Sequence, residues 1–475
     1  MVGAAHGKAG SGAVTPFRRL ARVRPARILL VGPIFSQHVV RHANILAKEG
    51  FDVHLTSASS SVPAPGFHPA IAIHQPDSDE RPARQSQRLS RIQVRVEVAA
   101  RRLGAMAGVE GQPPRPDTLR HRFGRASRRQ HPPTVVSCDS ADPILREFRL
   151  DPVRDIPWLA RLIDDLQPDL IHSLTLQYGG YPVLQARQQT TRRFPCWIVG
   201  NWGADVHYWA TVPGHAPLIR DVLSGADYLF AICQRDVALS RAHGFNGRLM
   251  ALETPGGGWD LAAITQLRQP GATSARRDLV IKGYDGLVGR ASVALRAIET
   301  LGDAMQGRRL VILAPGGDVP NQARKIGQSL GVEVVVHPHV SYQDVLGALG
   351  RARVFVGLSI TDAWPTMAIE SMMMGAFPVY SDTGALEELI DSGRSGLLAP
   401  PEDPIMVARA IRRALVDDRL VDAGVAWNDR HVVPRFDATV LNPKIVDAYE
   451  RVLLAERRGF FGSIERRVGA MRPSW

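Results

Sequence analysis

The chain has 475 residues, 45% of them hydrophobic and 22% charged, with a formal net charge of +12. That length predicts two or three globular domains, and that composition is ordinary for folded protein. Three widely spaced cysteines, Cys138, Cys196 and Cys233, argue against a disulfide scaffold or a thiolate zinc site and make a reducing cytoplasm the default. No run approaches the ~18 apolar residues of a membrane-spanning helix. The basic excess is nearly all arginine, five Lys among 58 basic residues. It reads either as coding bias or as attraction to an anionic partner.

Residues 1–25, rich in Gly, Ala and Arg, lack the apolar core of a signal peptide and read as a disordered lead-in. Ile28–Val31 is the first strand. It runs through Gly32-Pro33 into a helix from Gln37 to Glu49 that Gly50 closes. Val53–Thr56 follows as a second strand, so these elements form a βαβ unit with a parallel sheet. Residues 81–129 interrupt the rhythm with thirteen Arg against three acids. Leu89, Ile92, Val96 and Ala100 recur there at helical spacing, which suits a basic amphipathic helix on an anionic membrane face or a solvated insertion. Phe123 is the one aromatic in that run, which argues against nucleic-acid binding.

The strand rhythm resumes with Leu170–His172, Cys196–Gly200 and Tyr228–Ile232, with a helix over Gln234–His243. The stretch from Leu261 to Arg277 is the best linker. A second series then places strands at Leu279–Ile281, Leu310–Leu313, Glu333–Val336, Val354–Gly357 and Phe377–Tyr380. The expected domains are therefore 26–260, carrying the basic insertion, and 278–430. A helix over 440–458 and a tail over 459–475 complete the chain.

Ligands of open parallel sheets bind beyond the carboxyl ends of strands, so the residues after each strand are the candidates. Asp362 to Val379 follows one such strand. Thr366 is placed to cap a helix, begun by Thr366 and Met367, whose amide groups suit a diphosphate. Glu370, one turn on, suits two adjacent ribose hydroxyls. Gly375 and Pro378 end that helix and begin the next strand. Lys282, Gly283 and Arg290 follow the strand at 279–281 and offer two cations. Gly316 and His337 also follow strands.

The run from Asp362 through Glu370, Gly375, Pro378 and Val379 resembles the signature of retaining glycosyltransferases of family 4. That signature has two acids eight positions apart before a small-residue helix. Asp362 stands where the family usually has Glu. The likeness extends through Asp382–Ile390 and Gly393–Leu398. It implies an α/β GT-B fold, two Rossmann-like domains facing across a cleft, with the last helix crossing back to the first. It implies that Lys282 and Arg290 neutralise the donor diphosphate in place of a metal, so that no cofactor beyond a nucleotide-sugar co-substrate is expected. By the same likeness Glu370 holds the ribose, Asp362 reads the sugar, and Gly316 and His337 lie by the nucleotide. In the first domain the resemblance is looser. Ser36 and His38 occupy the acceptor-side loop, Gly203-Ala204-Asp205 offers Asp205 near the anomeric centre, and His207 is an acceptor-side candidate or a plain surface residue.

The expected activity is transfer of a sugar to a glycan or lipid-linked acceptor, in the cytoplasm or at the inner face of the membrane, in the setting of envelope polysaccharide assembly. A sugar-nucleotide epimerase of the same architecture and a non-catalytic sugar-binding protein are the alternatives.

Overall fold

The computed structural model describes residues 24–76 and 138–469. The basic run 81–129, with the membrane reading attached to it, lies outside the described residues, as does most of the lead-in.

Two parallel sheets dominate. The first holds β1 (Arg27–Val31), β2 (Asp52–Thr56), β3 (Ala72–His74), β4 (Leu170–Ser173), β5 (Cys196–Asn201), β6 (Tyr228–Ala231) and β7 (Arg248–Leu252). Their spatial order is β3-β2-β1-β4-β5-β6-β7. The second holds β8 (Asp278–Lys282), β11 (Arg309–Leu313), β12 (Glu333–His337), β13 (Ala352–Gly357), β14 (Phe377–Ser381) and β15 (Leu397–Ala399), ordered β12-β11-β8-β13-β14-β15. Between β8 and β11 a short antiparallel ribbon pairs β9 (Asp285–Gly286) with β10 (Gly289–Arg290). In each sheet the order reverses beside its first strand, between β1 and β4 and between β8 and β13. A crevice opens at such a switch point.

The central strands are apolar because both of their faces are covered. Leu29 and Val31 of β1 join one core layer with Ile171, Val199 and Leu229, while Ile28 and Leu30 join the other with Leu170, Ile198 and Phe230. The second sheet divides in the same way. Val280 and Phe355 lie on one face, Leu279, Ile281, Val354 and Val356 on the other.

The helix Gln37–Lys48 starts at Ser36, whose side chain accepts from the His38 amide at 3.3 Å, and stops before Gly50 at φ 80°. The final helix, Ala438–Gly469, returns to the first domain. There Ile445, Ala448, Tyr449, Val452 and Leu453 are buried against β1, β4 and β6. Tyr449 sits in a polar chain inside that apolar layer. His42 Nδ1 lies 2.7 Å from the Pro255 carbonyl and must donate to it, so its Nε2 accepts from the Tyr449 hydroxyl at 2.7 Å. His172 Nδ1 then donates to the same oxygen at 2.5 Å. Desolvation depresses both imidazoles, His42 to about 4, so both are neutral and the direction of the chain is fixed.

The stretch 261–277, between the two sheets, is structured. It makes short helical turns at Leu261–Ile264, Thr265–Leu267 and Thr273–Ala275. Arg276 is fully buried in it and donates to the carbonyls of Gln269, Ala352, Met374 and Gly375. Its many donors satisfy helix and strand ends that composition alone could not reveal.

Candidate active site

Lys282 closes β8 and Asp362 follows β13, the two strands that flank the switch point of the second sheet. Lys282 is buried, and desolvation pulls its ammonium below the usual lysine range while the negative charge of Asp362 opposes that pull. Burial pushes Asp362 up in turn. Lys282, the Ala363 amide at 3.1 Å and Arg235 pull it back. The Lys282 ammonium also lies 5.1 Å from the centre of the Tyr284 ring. A cation and an acid held at low dielectric on a switch point suit a ligand with developing negative charge.

The helix Thr366–Met373 points its start into the same cleft, but Thr366 does not cap it. Pro365 occupies the cap position and has no side-chain acceptor, and Thr366 is the first helical residue. The proline fixes the entry angle and leaves the first amide groups without a side-chain partner. The Thr366 hydroxyl instead faces His38 Nε2 across the cleft at 3.5 Å. Met367 behind it packs half-buried on the core of the second domain. At the other end Gly375, at φ 68°, terminates the helix before β14.

Glu370 is 3% exposed and lies inside a ring of named partners. Its Oε1 accepts from the Trp259 indole at 3.3 Å, and the Tyr342 hydroxyl also bonds to the carboxylate. Desolvation outweighs these donors and lifts Glu370 to about 7. Gly283 serves close packing, since a Cβ there would meet the Leu313 carbonyl at 2.6 Å and Pro315 at 2.7 Å. The Gly316 amide donates to the Gly283 carbonyl at 3.1 Å, and the residue is otherwise open. His337 ends β12, where its carbonyl accepts from Ala314 at 2.9 Å.

Two predicted residues have partners of their own. Arg290 is ion-paired at 2.5 Å with Glu402, a residue 112 positions away. Asp205 has both carboxylate oxygens engaged by backbone amides, Leu176 at 2.8 Å and Trp202 at 2.7 Å. Burial raises it to about 7. It ties two loops of the first domain together.

The first domain does reach the site elsewhere. His207 Nδ1 lies 3.0 Å from the Thr361 hydroxyl, and His38 meets the Trp202 ring edge-on at 6.4 Å. Burial lowers each histidine to about 4, so both are neutral near pH 7. Gly203, at φ 105°, comes so near the other domain that a Cβ would sit 2.4 Å from the Ala363 nitrogen.

Sequence reading missed Arg235, Glu388, Trp259 and Tyr342. Arg235, at the start of the helix Gln234–Ala242, donates to Thr383 O at 2.8 Å and to Gly203 O at 3.1 Å, bridging the domains beside Asp362. Glu388 of the second domain accepts from the Gln234 amide at 2.8 and 3.0 Å and from the Arg235 amide at 3.3 Å. A signal was present for this cap. The residue before that helix is Cys233, a poor cap, so the first amides needed an acceptor from elsewhere.

Residues 286–417 match the family described as Glycosyl transferases group 1. Two D-inositol 3-phosphate glycosyltransferases, from Corynebacterium jeikeium and Streptomyces bingchenggensis, are each 24% identical to the chain over 258 and 260 residues, half of its length. Those stretches span 61% and 56% of the two relatives, less than two thirds of either. Among solved structures, sucrose-phosphate synthase from Thermosynechococcus elongatus covers 91% of the chain and all of its own, with a TM-score of 0.59 at 16% identity. The UDP-forming trehalose-phosphate synthase from Burkholderia xenovorans covers 89% of the chain and 98% of its own, at 0.60 and 13%. Anabaena HepE in complex with UDP-glucose covers 89% and 99%, at 0.53 and 13%. At these identities the likeness establishes the two-domain GT-B fold.

Proposed function

We propose that this chain, a group 1 glycosyltransferase, moves a sugar from a nucleotide-sugar donor to a glycan or lipid-linked acceptor with retention of anomeric configuration. The observation that carries the reading is the buried Lys282–Asp362 pair at the switch point of the second sheet, beside the start of the helix Thr366–Met373. The donor diphosphate lies on that helix start and on Lys282, Glu370 takes the ribose hydroxyls, and Asp362 takes a hydroxyl of the transferred sugar. As the glycosidic bond breaks, charge grows on the leaving phosphate and Lys282 neutralises it. The acceptor hydroxyl attacks the face that the diphosphate leaves, and its proton passes to the departing phosphate oxygen. No protein base is required by that route. On this reading Arg290, paired with Glu402 in the unliganded chain, is the second cation for the phosphates. The acceptor enters between Ser36, His38 and His207.

The donor is a UDP-sugar in the first instance, the ligand class named for one structural neighbour. A phosphorylated polyol is the first acceptor to try, from the names of the two relatives. Attachment to an anionic membrane belongs to the run 81–129. Among the described residues no helix is long and apolar enough to cross a membrane.

Calorimetry of the purified protein against UDP-, GDP- and ADP-sugars tests the donor. Glu370→Ala should weaken the donor that binds, and unchanged affinity refutes the assignment. Release of nucleoside diphosphate should require an acceptor. Conversion of the donor to an isomer without acceptor would identify an epimerase instead.

A further inference from the structure

The domains are joined at two chain crossings that lie side by side. Trp259, on the outward crossing, donates its amide to the Phe436 carbonyl at 2.8 Å and accepts from the Ala438 amide at 2.8 Å, on the returning one. Trp259 and Asp437 form an isolated parallel bridge. The indole of the same residue reaches in the other direction. Its Nε1–H is shared between the Tyr342 hydroxyl at 2.9 Å and Glu370 Oε1 at 3.3 Å. Arg41, from the first helix of the first domain, lies 4.4 Å over the Trp259 ring and donates to the Gly257 and Gly258 carbonyls at 3.3 and 2.7 Å. One side chain therefore touches the hinge, the first domain and the buried acid of the second.

We propose that Trp259 is a positioning residue that fixes Glu370 for the ribose of a nucleotide and ties occupancy of that site to the hinge crossing at Trp259 and Asp437. The proposal rests on the assignment of Glu370 to the ribose. A carboxylate 3% exposed has few rotamers open to it, and two donors restrain it further. The Tyr342 hydroxyl accepts from Trp259 and donates to Glu370, so the three groups form a closed triangle. Ribose hydroxyls enter it as donors to the carboxylate, which requires the ionised form.

Other titratable groups also act on this carboxylate or feel its charge. Arg41 stabilises the anion, and Tyr342 bonds to it. Tyr284, after β8, and Tyr380, on β14, are each pushed up partly by the Glu370 charge. Removal of the indole donor raises Glu370 further, because Trp259 is one of the bonds that hold it down. A substitution that merely loosened packing would leave that titration in place.

The test is isothermal calorimetry of UDP, GDP and ADP on the full chain, from pH 5.5 to 9, for wild type, Trp259→Phe and Tyr342→Phe. Trp259→Phe keeps a ring under Arg41 and removes the N–H. The expected result is a loss of about tenfold in affinity for the nucleotide that binds, the measure of one hydrogen bond to a charged group. The midpoint of the affinity–pH curve should move upward. Tyr342→Phe, at a half-exposed position, should repeat both changes and serves if Trp259→Phe fails to fold. Hydrogen exchange adds the hinge arm: the nucleotide should slow exchange at the Trp259 and Ala438 amides in wild type and less so in Trp259→Phe. Equal affinities with an unmoved pH midpoint overturn the proposal, as do hinge amides indifferent to the nucleotide. A wild type that binds no nucleotide refutes the donor-site reading itself, which is a separate outcome.

Discussion

After β5 of the first sheet the acid is bonded by amides of its own domain, whereas the charges that follow β8 and β13 of the second have few bonds of their own. After β5, Asp205 gives both oxygens to amides of its own domain, and Asn201 donates to Asp236 O and the Ser240 hydroxyl. Beneath β1 and β4 the histidines close a chain through Tyr449. After β8 and β13, by contrast, Lys282 and Asp362 keep charges that only partly answer each other. The hydroxyls of Ser359 and Tyr380 and the Trp364 indole are buried there with no hydrogen-bond partner. Groups of that kind cost stability and are kept where a ligand uses the surroundings. On the proposed reading the donor chemistry lies at the second sheet.

Substitutions can break that contrast. The largest effect should come from Lys282→Ala, with turnover reduced on the order of 10²–10³-fold. Its melting temperature should hold, because a desolvated charge is removed along with its attraction to Asp362. A turnover assay with a melting curve decides it. Asp205→Asn should do the reverse. Its NH₂ cannot accept from an amide, so about 1–3 kcal/mol of stability is lost while kcat of the folded fraction stays. A fall in kcat comparable to that of Lys282→Ala would return Asp205 to the reaction. Tyr449→Phe leaves His42 Nε2 and the His172 donor without their shared partner and should cost about 1–3 kcal/mol in denaturant unfolding, with donor affinity unchanged.

The smallest effect is pH-dependent and belongs to Glu370. Its folded pKa, about 7, lies above the ordinary 4.5, so the folded chain binds the proton more tightly than the unfolded chain does. That contribution to stability is present below about pH 4.5 and is lost as pH rises toward 7. Glu370→Gln should therefore stabilise the unliganded protein at pH 8 relative to wild type and lose that advantage at pH 5. Melting curves at the two pH values check the sign.

Much of this was legible in the chain. Strands such as Ile28–Val31 and Tyr228–Ala231 are apolar throughout, and only a covered parallel sheet asks for that. Lys282, Asp362 and Glu370 stand close to strand or helix ends, where spacing makes them candidates, and the resemblance to the family signature supplied their expected roles. Nothing local marks Arg235, because its partners Gly203 and Thr383 lie 32 and 148 residues away. Trp259 follows three glycines, and nothing near it in sequence shows that Glu370 folds against it. Arg290 and Asp205 show a different limit. The residue types were right for binding, but spacing cannot reveal that Glu402 or the amides of Leu176 and Trp202 arrive first.

The bond from Glu388 to the helix Gln234–Ala242 carries one more consequence. Among the described residues, the carboxylate on that helix's first amides comes from the opposite domain. A separation of the two halves would remove that cap and free the first turn to fray. Opening the molecule and loosening that turn are then a single event, and a protease that cuts near Gln234 would report how often it happens.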